Sequence, residues 1–275
     1  MINFNGSLIQ ASEAQLSHNN RGFKYGDGIF ETIKVQNGKL IFWEDHYFRL
    51  MASMRMLRMK IPMKFTLEFL EEEIQKVIEN YDKALLRVRL NIFRKDGGLY
   101  LPATNEIDYL IEAKEIEIKE KQEYRIDIFK DFYNYSGLLS TVKTTNRMLN
   151  TLASVYADEN DLDNCILLNE RKGVVEVANG NIFLVKGNII KTPALAEGCI
   201  KGITRKKVIE IIEKHPNFSV EETTISPFEI QKADEVFITN AISGLQSVTN
   251  YRKKQFEITV GDKIKKSLNV LTITG

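Results

Sequence analysis

Apolar and polar residues alternate from Ile29 to Val35. Asn37-Gly38 then supplies the two positive-φ positions of a tight turn, and Leu40 to Phe42 resumes the apolar pattern. That arrangement predicts a hairpin. Phe48, Met51, Met54 and Leu57 recur at helical spacing, as do Leu67, Leu70, Ile74, Val77 and Ile78, with Thr66 placed as the N-cap of the second run. Two amphipathic helices are expected there. Alternation returns from Leu86 to Phe93 and again from Ile107 to Ile118, on either side of a Lys95-Asp96-Gly97-Gly98 loop. The order strand, strand, helix, helix, strand, strand describes an α+β unit whose helices back one face of a sheet.

The charged stretch Glu112 to Glu123 closes this unit, and beyond it the pattern changes. Tyr124 to Phe129 reads as a strand and Thr144 to Ala157 as a helix. Short strands then crowd together at Cys165 to Asn169, Val174 to Val177, Ile182 to Val185 and Ile189 to Lys191. A helix from Ile203 to Lys214, a strand at Glu235 to Thr239 and a terminal helix near Asp262 to Leu268 complete a strand-rich second half. The expectation is an α+β protein of two domains, a small one over 1–118 and a larger one over 119–275. A cleft between domains is the usual home of a small-molecule site.

Composition narrows the classes of function. The chain has 275 residues, with 38 Lys plus Arg against 37 Asp plus Glu and a net charge of +1. It therefore has no bulk field to gather nucleic acid or an anionic membrane. The start MINFNGSLIQ lacks the basic and apolar regions of a signal peptide, and no window approaches the roughly 20 apolar residues of a bilayer span, so a cytoplasmic protein is expected. Two cysteines, Cys165 and Cys199, are too few for a disulfide framework, and with three histidines a catalytic metal is not expected.

Lys143 stands among uncharged, hydroxyl-bearing neighbours, Ser140-Thr141-Val142 before it and Thr144-Thr145-Asn146 after. In a desolvated pocket such an amine becomes a nucleophile able to form a Schiff base; on residue type alone it reads as a surface lysine ahead of a helix. Glu176 lies inside the apolar run Val174 to Ala178. There it is either a strand residue facing water or a buried carboxylate in need of a partner. Gly202-Ile203-Thr204-Arg205 opens a helix, where free N–H groups suit a phosphate but also occur as ordinary capping. The small residues from Thr239 to Gly244 form a third place where backbone N–H groups can approach an anion.

In chain order, Arg21-Gly22, Tyr25-Gly26-Asp27-Gly28-Ile29-Phe30-Glu31-Thr32, His46-Tyr47-Phe48-Arg49-Leu50, Lys143-Thr144-Thr145-Asn146, Glu176 with Asn181-Ile182-Phe183, and Gly202-Ile203-Thr204-Arg205 resemble the class IV aminotransferase family. These are the fold type IV pyridoxal-phosphate enzymes, including branched-chain and D-amino acid aminotransferases and aminodeoxychorismate lyase. The resemblance implies the two-domain fold of that group, pyridoxal 5′-phosphate as cofactor and a homodimer.

By the same resemblance Lys143 is the catalytic residue that carries the cofactor as an aldimine, and Glu176 pairs with the pyridine nitrogen. Arg49, Ile203 and Thr204 bind the phosphate, and Asn181 belongs to the cofactor site. Ala241 falls where many aminotransferases have a phosphate-binding threonine. Backbone N–H groups of Ile242 and Ser243 are then expected to serve, with Thr239 as a neighbour able to compensate. Tyr25, Arg94, Glu31 and Arg147 are the substrate candidates, while Arg87 and Arg89 read as ordinary strand residues. The implied reaction moves an amino group between a branched-chain or similar amino acid and a 2-oxo acid. One alternative is aminodeoxychorismate lyase, releasing pyruvate and 4-aminobenzoate; another is a catalytically silent binding protein of the same fold. Thr239-Asn240-Ala241 and the Asn146-Arg147 pair look more like the lyase branch, while Glu31 and the absence of an arginine after Gly98 look less so.

Overall fold

A computed structural model describes residues 1–82, 84–119 and 121–274. The chain forms two compact units. The first comprises Met1–Ile118 with Lys143–Asn146, and the second comprises Lys119–Val142 with Arg147–Gly275.

In the first unit the elements are β1 (Ile2–Phe4), β2 (Ser7–Ile9), α1 (Arg21–Tyr25), β3 (Gly28–Gln36), β4 (Lys39–Leu40), α2 (Trp43–Met56), α3 (Leu67–Ile78), β5 (Leu85–Arg94) and β6 (Ile107–Glu115). The strands form one antiparallel sheet in the order β2-β1-β6-β5-β3-β4. Side chains alternate across a strand, so Ile29, Ile33 and Val35 of β3 share a buried face with Val88, Leu90 and Ile92 of β5 and Ile111 of β6. The α2 and α3 helices cover this sheet. Leu70, Ile74, Val77 and Ile78 supply the inner stripe of α3, whose start is capped as its sequence predicts: the Thr66 side chain accepts the Phe69 N–H. On α2 the inward residues are Trp43, His46, Leu50, Met51 and Met54, whereas Phe48 is 59% exposed. The strand after the Asn37-Gly38 turn is only two residues long, because Phe42 takes a left-handed φ of 56° and α2 begins at Trp43.

The second unit contains β7 (Arg125–Ile128), α4 (Met148–Glu159), β8 (Asn164–Leu168), β9 (Val174–Val177), β10 (Asn181–Lys186), β11 (Ile189–Pro193), α5 (Ile203–Glu213), β12 (Ser219–Thr223), α6 (Pro227–Lys232), β13 (Glu235–Asn240), β14 (Gly244–Val248), β15 (Asn250–Tyr251), β16 (Lys254–Gln255) and α7 (Thr259–Thr274). Its strands make two sheets, β12-β11-β10-β13-β14 and β16-β15-β7-β8-β9. Ile126, Ile166, Val174 and Val177 from one sheet share a core with Ile182, Leu184, Val236 and Ile238 from the other.

One element starts later than its pattern suggests. Periodicity predicts a helix from Thr144, but α4 starts at Met148; Thr144 forms an antiparallel bridge with Ile29, and the Thr145 N–H donates to the Gly28 carbonyl. The β-branched pair Thr144-Thr145 suits this extended pairing better than a helix start.

Candidate active site

Within the first unit, Lys143 is held by its own backbone. Its carbonyl accepts the Phe30 N–H at 3.0 Å, and its Nζ stands 4.5 Å from the centre of the Phe30 ring. The Thr145 hydroxyl and the Asn146 carboxamide both donate to the Gly26 carbonyl, at 2.9 and 3.2 Å. Gly26, at φ 62°, is required here, because a Cβ on it would lie 2.1 Å from Asn146 Oδ1. The Phe30 ring also meets the Arg89 guanidinium, 3.9 Å from the ring centre. Arg89 donates to Asn91 Oδ1 at 2.8 Å, and among the described residues no carboxylate forms a salt bridge with it. Burial lowers its pKa from the ordinary value and the neighbouring Arg87 charge acts in the same direction, against Glu112, its cross-strand partner on β6.

Glu31 points to the opposite face, where it is 1% exposed. Its Oε1 accepts from Arg49 Nε at 2.8 Å, and its Oε2 faces both Arg49 Nη2 and His46 Nδ1, the latter at 2.7 Å. Burial alone would raise the Glu31 pKa; the Arg49 charge and the hydrogen bonds from His46 and Arg49 override it and hold the carboxyl at about 2. His46 moves the other way. Burial lowers it from 6.5 against the pull of Glu31, and the nearby Arg49 and Lys143 charges lower it further. The ring is therefore neutral at pH 7, with Nδ1–H donating to the carboxylate.

The two other substrate candidates of this unit occupy different settings. Tyr25, at the end of α1, packs 5.8 Å from the Tyr100 ring, with the Arg21 guanidinium 4.9 Å from its centre. Arg94 is buried, and its donors go to Asp27 (3.0 Å), Asn105 Oδ1 (2.6 Å) and the Leu57 and Arg58 carbonyls (3.0 and 3.4 Å). Such a guanidinium ties β5 to the end of α2 and leaves little donor capacity for a substrate. Arg21 shares Asp27 and holds the carbonyls of Gly97 and Leu99, at 3.0 and 2.6 Å, which fixes the glycine loop.

The second unit gathers the remaining candidates. Glu176 does not face water: it is 4% exposed on β9, and its Oε2 accepts the Ile200 N–H at 2.9 Å. Asn181 Nδ2 donates to the Ile200 carbonyl at 2.9 Å. Ile203 and Thr204 form the buried first turn of α5, whose N-cap, Gly202, makes no side-chain capping bond. A Cβ on Gly202 would lie 2.1 Å from Asn181 Oδ1, so the backbone comes this close only as glycine. Arg147, at the start of α4, donates to the Val142 carbonyl at 2.9 Å. The N–H groups of Ile242 and Ser243, expected as open donors, are both engaged by Asn240 Oδ1, at 3.0 and 2.9 Å.

Comparison with known proteins gives this geometry a family. The family described as Amino-transferase class IV matches residues 28–251. A putative branched-chain-amino-acid aminotransferase of Methanocaldococcus jannaschii is 30% identical over 254 residues, covering 90% of this chain and 86% of that one. The D-alanine aminotransferase of Bacillus licheniformis is 29% identical over 266 residues, covering 90% and 87%. An aminodeoxychorismate lyase of Vibrio harveyi is 26% identical over 236 residues, covering 83% and 84%. The crystal structure of a branched-chain aminotransferase from Thermoproteus uzoniensis superposes with a TM-score of 0.88 at 24% identity, over 98% of this chain and 94% of that one. The chain belongs to the class IV aminotransferase family.

Members of this family are enzymes that use pyridoxal 5′-phosphate, and the residues present fit such a group. In the second unit a buried carboxylate, an uncapped helix start and a glycine that brings backbone close lie around Ile200 and Asn181. Beside them the Thr239 hydroxyl is buried without a hydrogen-bond partner. These are the donor and acceptor types that a protonated ring nitrogen and a phosphate ester require. No helix among the described residues is long and apolar enough to cross a membrane.

Phe30 and Glu31 carry a signal that alternation alone leaves unread. β3 turns its odd-numbered residues toward α2, so an aromatic at 30 and an acid at 31 both break phase, in opposite senses. Both stand at the site. Asp27, the shared acceptor of two buried arginines, offers no such signal.

Proposed function

We propose that this enzyme is an aminotransferase that moves an amino group from a small aliphatic amino acid, branched-chain or similar, to a 2-oxo acid. The observation that carries the proposal is the Lys143 amine, pinned through its backbone to β3 and set against Phe30 and the sheet face that bears Arg89. Bound pyridoxal phosphate supplies an electrophilic carbonyl and a ring that accepts electrons. Lys143 would anchor that carbonyl through its amine and, once free, would be the base that takes the proton from the substrate α-carbon. Arg49, oriented by Glu31, together with the N–H groups of Ile203 and Thr204, meets the phosphate. Glu176 keeps the ring nitrogen protonated, and Asn181 holds the Ile200 segment that contacts Glu176.

Arg89, a half-buried cation held by no salt bridge among the described residues, with Glu112 opposite it on β6, favours an acceptor with a second carboxylate, and Tyr25 is a further substrate candidate. Glu31, Arg94 and Arg147 are positioning residues: the first for Arg49, the second for the end of β5, the third for the chain just before Lys143. Exposed Met148, Leu152 and Val155 make one stripe along α4, which supports a homodimer.

The lyase reading rests on the Asn146-Arg147 pair and on the lyase relative. Purified holoenzyme separates the two when incubated with L-leucine or D-alanine plus 2-oxoglutarate, and separately with aminodeoxychorismate, with its mass taken by light scattering. Amino transfer to 2-oxoglutarate from a dimer is the expected result. Release of 4-aminobenzoate without amino transfer would transfer the assignment to the lyase, and no reaction in either arm rejects both.

A further inference from the structure

Thr239 is the penultimate residue of β13 and is 1% exposed, and its Oγ1 has no hydrogen-bond partner. Strand register places it directly opposite Asn181 of β10, so both side chains leave the same face of the sheet, with Cβ atoms about 5 Å apart. Asn181 is the residue whose carboxamide lies over Gly202, at the start of α5. The first N–H groups of a helix have no acceptor within it, and no side chain caps this one. The unpaired hydroxyl and the open helix start therefore flank the same carboxamide.

Two positions further along, Ala241 carries no hydroxyl, and the Ile242 and Ser243 N–H groups already serve Asn240 Oδ1. Thr239 is left as the uncommitted buried donor of this segment. Ser247 Oγ is also unpaired, but it faces Gly261 of α7.

We infer that the Thr239 hydroxyl donates to the phosphate ester of the bound cofactor beside the α5 N-terminus, in place of the hydroxyl that Ala241 lacks. The inference rests on the cofactor reading above. It accounts for a buried donor that the protein's own acceptors leave unsatisfied, a cost that a charged acceptor offsets.

The test is the affinity of apo-protein for pyridoxal phosphate and for pyridoxal, which lacks the ester, measured by absorbance titration in wild type, Thr239→Val and Thr239→Ser. Thr239→Val is expected to weaken pyridoxal phosphate about tenfold and pyridoxal not at all, while Thr239→Ser stays within about twofold of wild type. The melting temperature of apo Thr239→Val should hold or rise, because an unpaired hydroxyl gives way to a methyl of the same shape. Equal affinity of wild type and Thr239→Val for pyridoxal phosphate overturns this contact alone, as does equal weakening of both ligands. Failure of wild type to bind either ligand overturns the cofactor reading with it. Should Thr239→Val not fold, Thr239→Ala against Thr239→Ser makes the same comparison.

Discussion

Lys143→Ala is expected to lower the rate of amino transfer by about 10⁴-fold or more, while the melting temperature stays close to that of wild type. The rate effect is large because, on the proposed reading, one amine both anchors the cofactor and moves the proton, and losing a group with two roles removes both steps together. The fold is spared because the attachment of this segment is made by main chain and by its neighbours. The Lys143 carbonyl receives the Phe30 N–H, and Thr145 and Asn146 hold Gly26. Lys143→Arg keeps a cation over the Phe30 ring yet supplies no nucleophilic amine at neutral pH, so it should be as inactive as the alanine variant. Steady-state rates with L-leucine and 2-oxoglutarate, beside thermal melts of the three proteins, check this. If either variant keeps more than about 1% of wild-type turnover, Lys143 is not the nucleophile.

Where a side chain acts through local pattern, its role was legible before any coordinates. The Thr66 cap, the α3 stripe and the strand Val174–Val177 all follow from spacing and residue type within one window. Where the deciding contact is distant in sequence, the pattern misleads. Thr144 to Asn146 read as the first turn of a helix because Met148, Leu149 and Leu152 follow at helical spacing. Only pairing with Gly28 and Ile29, over 110 residues away in sequence, holds them extended.

Ser219–Thr223 shows little of strand alternation in its burial, and its place comes from the parallel partner β11. Arg94 illustrates the same limit for chemistry. Its position beside a glycine loop suggested a substrate ligand, but Asp27, Asn105 and two carbonyls at the end of α2 converge on it in space. For Glu176 the pattern leaves open whether it faces water; because the β9 strand is buried on both faces, alternation says nothing about water there.

Glu31→Gln should be the most destabilising single change at the site, by about 3–5 kcal/mol at pH 7, because it removes the buried carboxylate that meets the Arg49 guanidinium through both oxygens. The carboxylate is 1% exposed and engages Arg49 through both oxygens, with His46 donating to one of them. A glutamine preserves the shape, but it offers one neutral acceptor where two charged bonds stood and turns an N–H₂ group toward a cation. The pH dependence distinguishes lost charge from lost packing. With the folded carboxyl at about 2 and its ordinary value at 4.5, the stability contributed by Glu31 ionisation is fully present above pH 4.5 and is lost as pH falls toward 2. That term is on the order of 3 kcal/mol.

The gap between wild type and Glu31→Gln, read from urea unfolding, should therefore close progressively as pH falls from 4.5 to 2. His46 adds a slope of its own below pH 6.5, where the unfolded chain takes a proton that the folded site resists. Glu31 itself pulls the His46 pKa up, so the variant loses that pull and His46 costs it more than wild type below pH 6.5, until the Glu31 carboxyl begins to take its own proton. A gap that stays constant from pH 7 to 3 would mean that shape, not charge, makes Glu31 indispensable, and Arg49 would then need another explanation for its fixed orientation. If the gap closes as described, the same variant should also bind pyridoxal phosphate more weakly at pH 7, because an Arg49 no longer tethered at Nε and Nη2 must be ordered again each time the phosphate arrives.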